Sequence, residues 1–460
     1  MADLFPSLHT HSGLLPLLFR KNSHSIGNLQ HVQRRMYTMK KAFTMITALV
    51  LLAGCADSAA AVSADAEETT VYTTSSKEEN TEKEEDTEED DSLYSDRDME
   101  QEADLSEAKT IKVSDNQDVS ITEEGVYVIT GTAENVTITV NAAEDAKVQL
   151  VLDNVSITNE SRPVIEALEA DKLFITTAEG SENTFTVNRA FETGNGSDAV
   201  IDAGMDLTMN GPGTLTINSA GDAVSAADDL TITGGTYVIN SGEDGFEVND
   251  VLAVADGTFT IDAGKDGFHA ENSDDDTLGI IVMDDGSYTI NADDDGIQGN
   301  GTVTINDGTY DINAVEGIEG TTITINGGSI AIDASDDGIN AARKSAAYDV
   351  AIIINDGGIT INMAAGDTDA MDANGSITIN GGNINITGSS AFDYDTTGTL
   401  NGGTVTVNGQ QVTQLTSSMP GGGGMRNGMQ GGMQNGMGRG MKPGTDTTTG
   451  ATSTQNGNDV

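Results

Sequence analysis

The sequence predicts an all-β fold: a single-stranded parallel β-helix, a solenoid of about 9–12 coils with disordered flanks. Three observations predict it. First, the chain repeats itself over residues 196–409, and the Gly opening one strand of each unit falls at 213, 235, 257, 286, 308, 328, 358, 382 and 403. Second, each unit alternates short strands, such as 302–305 and 309–312, with Asn-Gly or Asp-Gly turns, and none carries a helical period. Third, 54 Gly, no Trp and 4% aromatics suit a narrow interior lined by Ile and Val with many bends. Most steps are 20–24 residues, too short for a propeller blade and without a leucine-rich consensus. Three strands and three bends of that length make one coil, and coils stack about 4.8 Å apart. Steps 257 to 286 and 328 to 358 are longer and carry inserts.

The elements follow in order. Residues 1–38 precede the expected start and hold four of the five histidines, His9, His11, His24 and His31, so no site is built on them. Residues 39–54 read as a signal peptide: Met39-Lys40-Lys41 is basic and 42–53 is an apolar run. It ends Leu52-Ala53-Gly54-Cys55, which resembles a lipoprotein lipobox, implying that Cys55 is lipidated and that the protein is lipid-anchored at the extracytoplasmic surface of a bacterial membrane. Cys55 is the one cysteine, which excludes an internal disulfide or a Cys-based zinc site. Residues 55–108 read as an acidic disordered linker, with calcium binding as the alternative; from Asp57 to Glu107 they hold 20 acids and three bases. Residues 109–416 are read as the β-helix, with 110–140 as a cap on its open end. Residues 417–460, rich in Gly and Met, read as a flexible tail, or else as a Cu(I)-binding one.

Within the repeat, residue ladders set the register. Asn210, Asn306, Asn326, Asn355, Asn380 and Asn401 share one bend. Asn218, Asn240, Asp262, Asn291, Asn313, Asp333 and Asn362 share a second. Val224, Phe246, Phe268, Ile297, Ile318, Ile339 and Met371 form an apolar column, read as core. A fourth ladder carries the chemistry: Asp222, Asp244, Asp266, Asp295, Glu316, Asp337 and Asp369. Three residues on stand Ser225, Glu247, His269, Gln298, Glu319, Asn340 and Asp372.

The formal charge is -53, which excludes a phosphate-binding face and hence nucleic acid as a partner. Between 196 and 416 there are 36 acids and three bases, Lys265, Arg343 and Lys344. Stacked carboxylates repel by roughly 1 kcal/mol in water and more near a protein surface. Oxygen-rich sites with almost no His suit Ca²⁺. The candidate ligands are Asp222, Asp244, Glu247, Asp266, Asp295, Glu316, Glu319, Asp337, Asp369 and Asp372; a solvated acidic face with Asp-Gly turns is the alternative.

The repeated unit at 324–339, its partial copy at 378–386 and the opening stretch 123–140 resemble the bacterial carbohydrate-binding-domain family of right-handed parallel β-helix proteins, related in fold to pectate lyases. The resemblance covers about 109–416. It implies calcium held by Asp residues at the coil edges and a plant polysaccharide, cellulose or acidic pectin, as partner. The calcium role carries best onto Asp244, Asp266, Asp295 and Asp337, each in an Asp-Gly-Phe/Ile context. Glu316 departs from Asp, and Asp222 and Asp369 precede Ala.

The expected function is a non-catalytic, calcium-dependent binder acting as a monomer. A pectate-lyase-like enzyme is the first alternative, with Arg343, Lys344 or Lys265 as the base. A structural surface rod or adhesin is the second. Sugar sites usually present aromatic faces; Tyr237, Tyr288 and Tyr310 share one strand position, and interior packing is the preferred reading of it. Without that platform, recognition runs through calcium to acidic sugars.

Overall fold

The computed structural model describes residues 92–192, 198–366 and 368–417. Residues 1–91, with the expected signal peptide, Cys55 and most of the linker, and the Met-rich tail from 418 lie outside the described residues. The described residues form a parallel β-helix. Each coil gives one strand to each of three sheets, as Val251–Val254, Thr258–Ala263 and Phe268–Ala270 do. In the third sheet eleven successive parallel pairings join twelve rungs, from Val119–Ile121 to Ser390–Tyr394. The last described pairing is antiparallel, Thr404–Val407 with Gln410–Val412.

Alternation builds the interior. In Thr258–Ala263 and Ser329–Ala334 every second residue is buried and its neighbours are exposed. The predicted apolar column runs through successive rungs, and all seven of its members are wholly buried. Tyr237, Phe259, Tyr288 and Tyr310 stack inside the second sheet with ring centroids 5.2, 4.9 and 4.5 Å apart. Their burial is possible because the hydroxyls of Tyr237, Tyr288 and Tyr310 donate to the carbonyls of Gly234, Asp285 and Asp307. The tyrosine row is therefore core, and the outward stripe is excluded.

The bends carry the two predicted amide ladders. Asn326, Asn355, Asn380 and Asn401 each donate to the Asn one coil earlier, at 2.7–2.9 Å. Asn210 lies in that column but outside the ladder, because Thr233 and Ala255 interrupt it. In the other bend Asn240 donates to Asn218 at 3.0 Å and Asn362 to Asp333 at 2.9 Å.

Two expectations change. Residues 110–140 are not a separate cap. Lys109–Lys112 pairs in parallel with Gly125–Glu134, and Val119–Ile121 with Ile138–Asn141, so the coil begins at Lys109 with a lysine-bearing edge strand. Residues 92–101, assigned to the linker by charge, instead lie across the outer face of the first sheet. Asp98 is 2% exposed, pairs with Lys172 at 2.7 Å and accepts from the Thr208 hydroxyl at 2.6 Å. Asn210 donates to the carbonyls of Asp98 and Glu100, and Gln101 bonds Gly211 and Thr233. Arg97 sits 4.3 Å from the centre of the Phe174 ring. A charge run reads as solvated only when its acids lack receptors, and Asp98 has them.

Candidate functional site

Seven successive third-sheet strands, from Asp222–Ala226 to Asp369–Ala373, begin on or just after a member of the predicted carboxylate ladder. In four of its Asp residues one oxygen serves the fold. Asp222, Asp244 and Asp266 accept the backbone N–H of the next column member at 2.7, 2.9 and 2.8 Å, and Asp337 accepts that of Asp369 at 3.0 Å. Asp222, Asp244, Asp266 and Asp295 are 2–5% exposed. The Gly after the Asp answers a different need. A Cβ at Gly245, Gly267, Gly296, Gly317 or Gly338 would come within 2.5–2.6 Å of a carbonyl oxygen of the next coil. The Asp-Gly repeat is thus a stacking device before it is anything else.

The second column is in the predicted register, from Ser225 through Glu247, His269, Gln298, Glu319 and Asn340 to Asp372. The two columns bring three groups of possible metal ligands within 4.8 Å: Asp198, Asp222 and Glu247; Asp244, Glu247 and His269; Asp295, Glu316 and Glu319. Asp337, Asp369 and Asp372 continue the columns, and Asp369 accepts the Ser390 hydroxyl. Sequence reasoning missed Asp198, although Asp198-Ala199-Val200 echoes Asp222-Ala223-Val224. It also placed His269 in the column without giving it a ligand's role.

Burial, more than anything, raises the acids of this face. It pushes Asp222 up to about 8, Asp295 to about 9 and Glu316 to about 7. Asp266, Asp337 and Asp372 rise to about 6 for the same reason, with neighbouring carboxylates adding. The protein supplies some relief. Gln298 donates to Asp295, and Asn340 donates to Glu316 at 2.9 Å and to Glu319 at 3.3 Å.

The basic candidates divide. Lys344 reaches from its insert onto the acidic face and pairs with Glu319, which is nearly buried. Burial lowers its pKa, but that hydrogen bond and the charges of Glu319, Asp295 and Glu316 outweigh it and leave it raised. Its insert is anchored on the other one: Ser345 donates to the carbonyl of Asp276 and Tyr348 to that of Thr277. Arg343 is exposed, and Lys265 forms an exposed pair with Glu243 at 2.6 Å.

These features define an acidic-edged β-solenoid whose outer columns present paired oxygen ligands. The chain belongs to the family of carbohydrate-binding domain-containing proteins, whose match spans residues 115–370, more than half of its length. A carbohydrate-binding domain-containing protein of Acetivibrio thermocellus is 34% identical over 124 residues, 26% of this chain and 43% of that protein. The chain thus matches less than half the length of this curated relative. The polysaccharide lyase-like protein from C. thermocellum, solved as a gadolinium derivative, aligns with 64% of this chain and 98% of its own at 22% identity, with a TM-score of 0.32. A likeness that remote bears on nothing further.

Proposed function

We propose that this protein is a calcium-dependent, non-catalytic binder of acidic plant polysaccharide of the polygalacturonate type, held at the extracytoplasmic membrane surface through a lipid on Cys55. One observation carries the reading. In the outer columns one oxygen each of Asp222, Asp244, Asp266 and Asp337 is committed to a backbone N–H, while carboxylates of neighbouring coils close into groups within 4.8 Å. Such all-oxygen groups, Asp198–Asp222–Glu247 and Asp295–Glu316–Glu319, suit Ca²⁺ by donor chemistry. The ion would relieve the mutual repulsion and leave charge to bridge to a uronate carboxylate. The buried tyrosine row supports ionic recognition over ring stacking. The raised pKa of Lys344 and its pairing with Glu319 suit a fixed counter-ion better than the base of a lyase, which must begin unprotonated.

The test is a thermal melt with excess Ca²⁺ and with EDTA, each with and without polygalacturonate, followed by an assay for unsaturated product. A calcium shift that grows with polygalacturonate, without product, supports the binder. Product formation would establish a lyase. No calcium response would leave the columns as turn chemistry and favour a structural rod.

A further inference from the structure

We propose that Asp244, Glu247 and His269 form a separate site for a first-row transition ion of the Zn²⁺ class, set within the otherwise oxygen-only columns. Their ligand atoms lie within 4.8 Å of one another. His269 Nδ1 is 3.2 Å from Asp244 Oδ2 and 3.7 Å from Asp266 Oδ2. Ligands about 2.0–2.1 Å from a tetrahedral zinc lie about 3.3–3.4 Å apart, so these separations straddle the edge of such a polyhedron. The Asp244 and Asp266 oxygens concerned are the ones the fold leaves over, since Oδ1 of each accepts a backbone N–H.

The imidazole is set for the task. Its side chain is 15% exposed, and the buried Nε2 makes no hydrogen bond within the protein. Glu271 Oε2 stands 3.5 Å from Nε2, where a small closure would make it the carboxylate that orients a metal-bound histidine through its far nitrogen. Nδ1 would then give its lone pair to the ion. Imidazole nitrogen suits Zn²⁺ and its neighbours in the series, whereas Ca²⁺ takes oxygen. At the same column position one coil on, Gln298 relieves its acidic neighbour with an amide, so charge relief alone does not call for an imidazole.

This site does not rest on the calcium reading, and one substitution separates them. Gln is native at the adjacent rung, so His269→Gln fits the coil. The metal-stripped full chain is titrated with Co²⁺, followed by its visible d–d bands, and with Zn²⁺ by calorimetry, in wild type, His269→Gln and Glu247→Gln. Circular dichroism confirms folding. The expected result is one Zn²⁺ whose affinity falls by about tenfold or more in His269→Gln, with loss of the Co²⁺ bands and an unchanged calcium response. Glu247→Gln should weaken both metals, because Glu247 belongs to both groups. Equal Zn²⁺ binding in wild type and His269→Gln would place the ion elsewhere, upstream histidines included, and overturn the proposal. So would Co²⁺ displaced by equimolar Ca²⁺.

Discussion

Raising the pH without divalent ions should destabilise this protein, contrary to the acid sensitivity of most proteins. Asp266 and Asp337 are each raised to about 6 from 3.8, chiefly by burial. A carboxyl whose folded pKa exceeds its unfolded value binds more protons when folded. Its contribution is complete below about pH 4 and is lost as the pH climbs through about 6. Two units correspond to about 3 kcal/mol for the buried Asp266 and to less for the part-exposed Asp337. The two residues lie three rungs apart, about 14 Å, beyond the distance of about 7–10 Å within which substituted sites usually couple. About half of each contribution is already lost at pH 5 and solvent screens the less buried Asp337, so together they should amount to about 2 kcal/mol between pH 5 and pH 8. Asp222 and Asp295, at about 8 and about 9, extend the decline to higher pH. The assay is the melting midpoint in EDTA at pH 5 and pH 8, repeated with Ca²⁺. The midpoint should fall between the two in EDTA. The calcium shift should be larger at pH 8, where ligands ionise at less cost; a single site at a hundredfold excess over Kd gives about 2.7 kcal/mol. A midpoint that is flat or rises from pH 5 to pH 8 in EDTA, or an equal calcium shift at both, would refute the reasoning.

Three further outcomes follow from the packing. Tyr288→Ala should cost about 3–5 kcal/mol in urea unfolding, since the ring stacks between Phe259 and Tyr310, while Tyr288→Phe should cost about 1 kcal/mol for its hydroxyl. Asp98→Ala should cost about 3–5 kcal/mol by leaving Lys172 without its partner, and limited proteolysis should then cut within 92–108. Lys344→Met should lower the metal-free melting midpoint at pH 8 yet tighten calcium binding in calorimetry, because it strips the cation from Asp295, Glu316 and Glu319.

The coil was legible because its period is written in side chains that repeat. The Gly positions, both Asn bends and the apolar column each occupy one place per turn, save that Gly357 and not the predicted Gly358 stands in the glycine column, and parallel stacking turns that place into contact. What was illegible depended on contacts outside the period. Asp98 looked like any acid of the linker, since its receptors Lys172 and Thr208 lie 74 and 110 residues away in sequence. The target of Lys344 was equally hidden, because the path of an insert is set by its anchors at Asp276 and Thr277. His269 was visible in register but not in role. The column predicts where a side chain stands, and only geometry shows that its nitrogen meets the spare oxygens of Asp244 and Asp266.

Fold and site share these aspartates atom by atom, and that decides how they can be separated. Replacing Asp244 with Ala removes the acceptor for the Asp266 N–H and leaves a buried donor unsatisfied, at about 1–3 kcal/mol. Any loss of binding would then be inseparable from loss of structure. Asp244→Asn keeps an amide oxygen for that N–H and removes the charge facing His269. It also removes one source of repulsion toward Asp266 and Glu247. The metal-free Asn variant should therefore be no less stable than wild type at neutral pH while binding metal more weakly. An acidic column kept only for stacking would gain from Asn at every rung, as the Asn bends of the same coil do. The acids retained at Asp222, Asp244, Asp266 and Asp295 are what stacking alone leaves unexplained, and the proposed divalent ion would account for them.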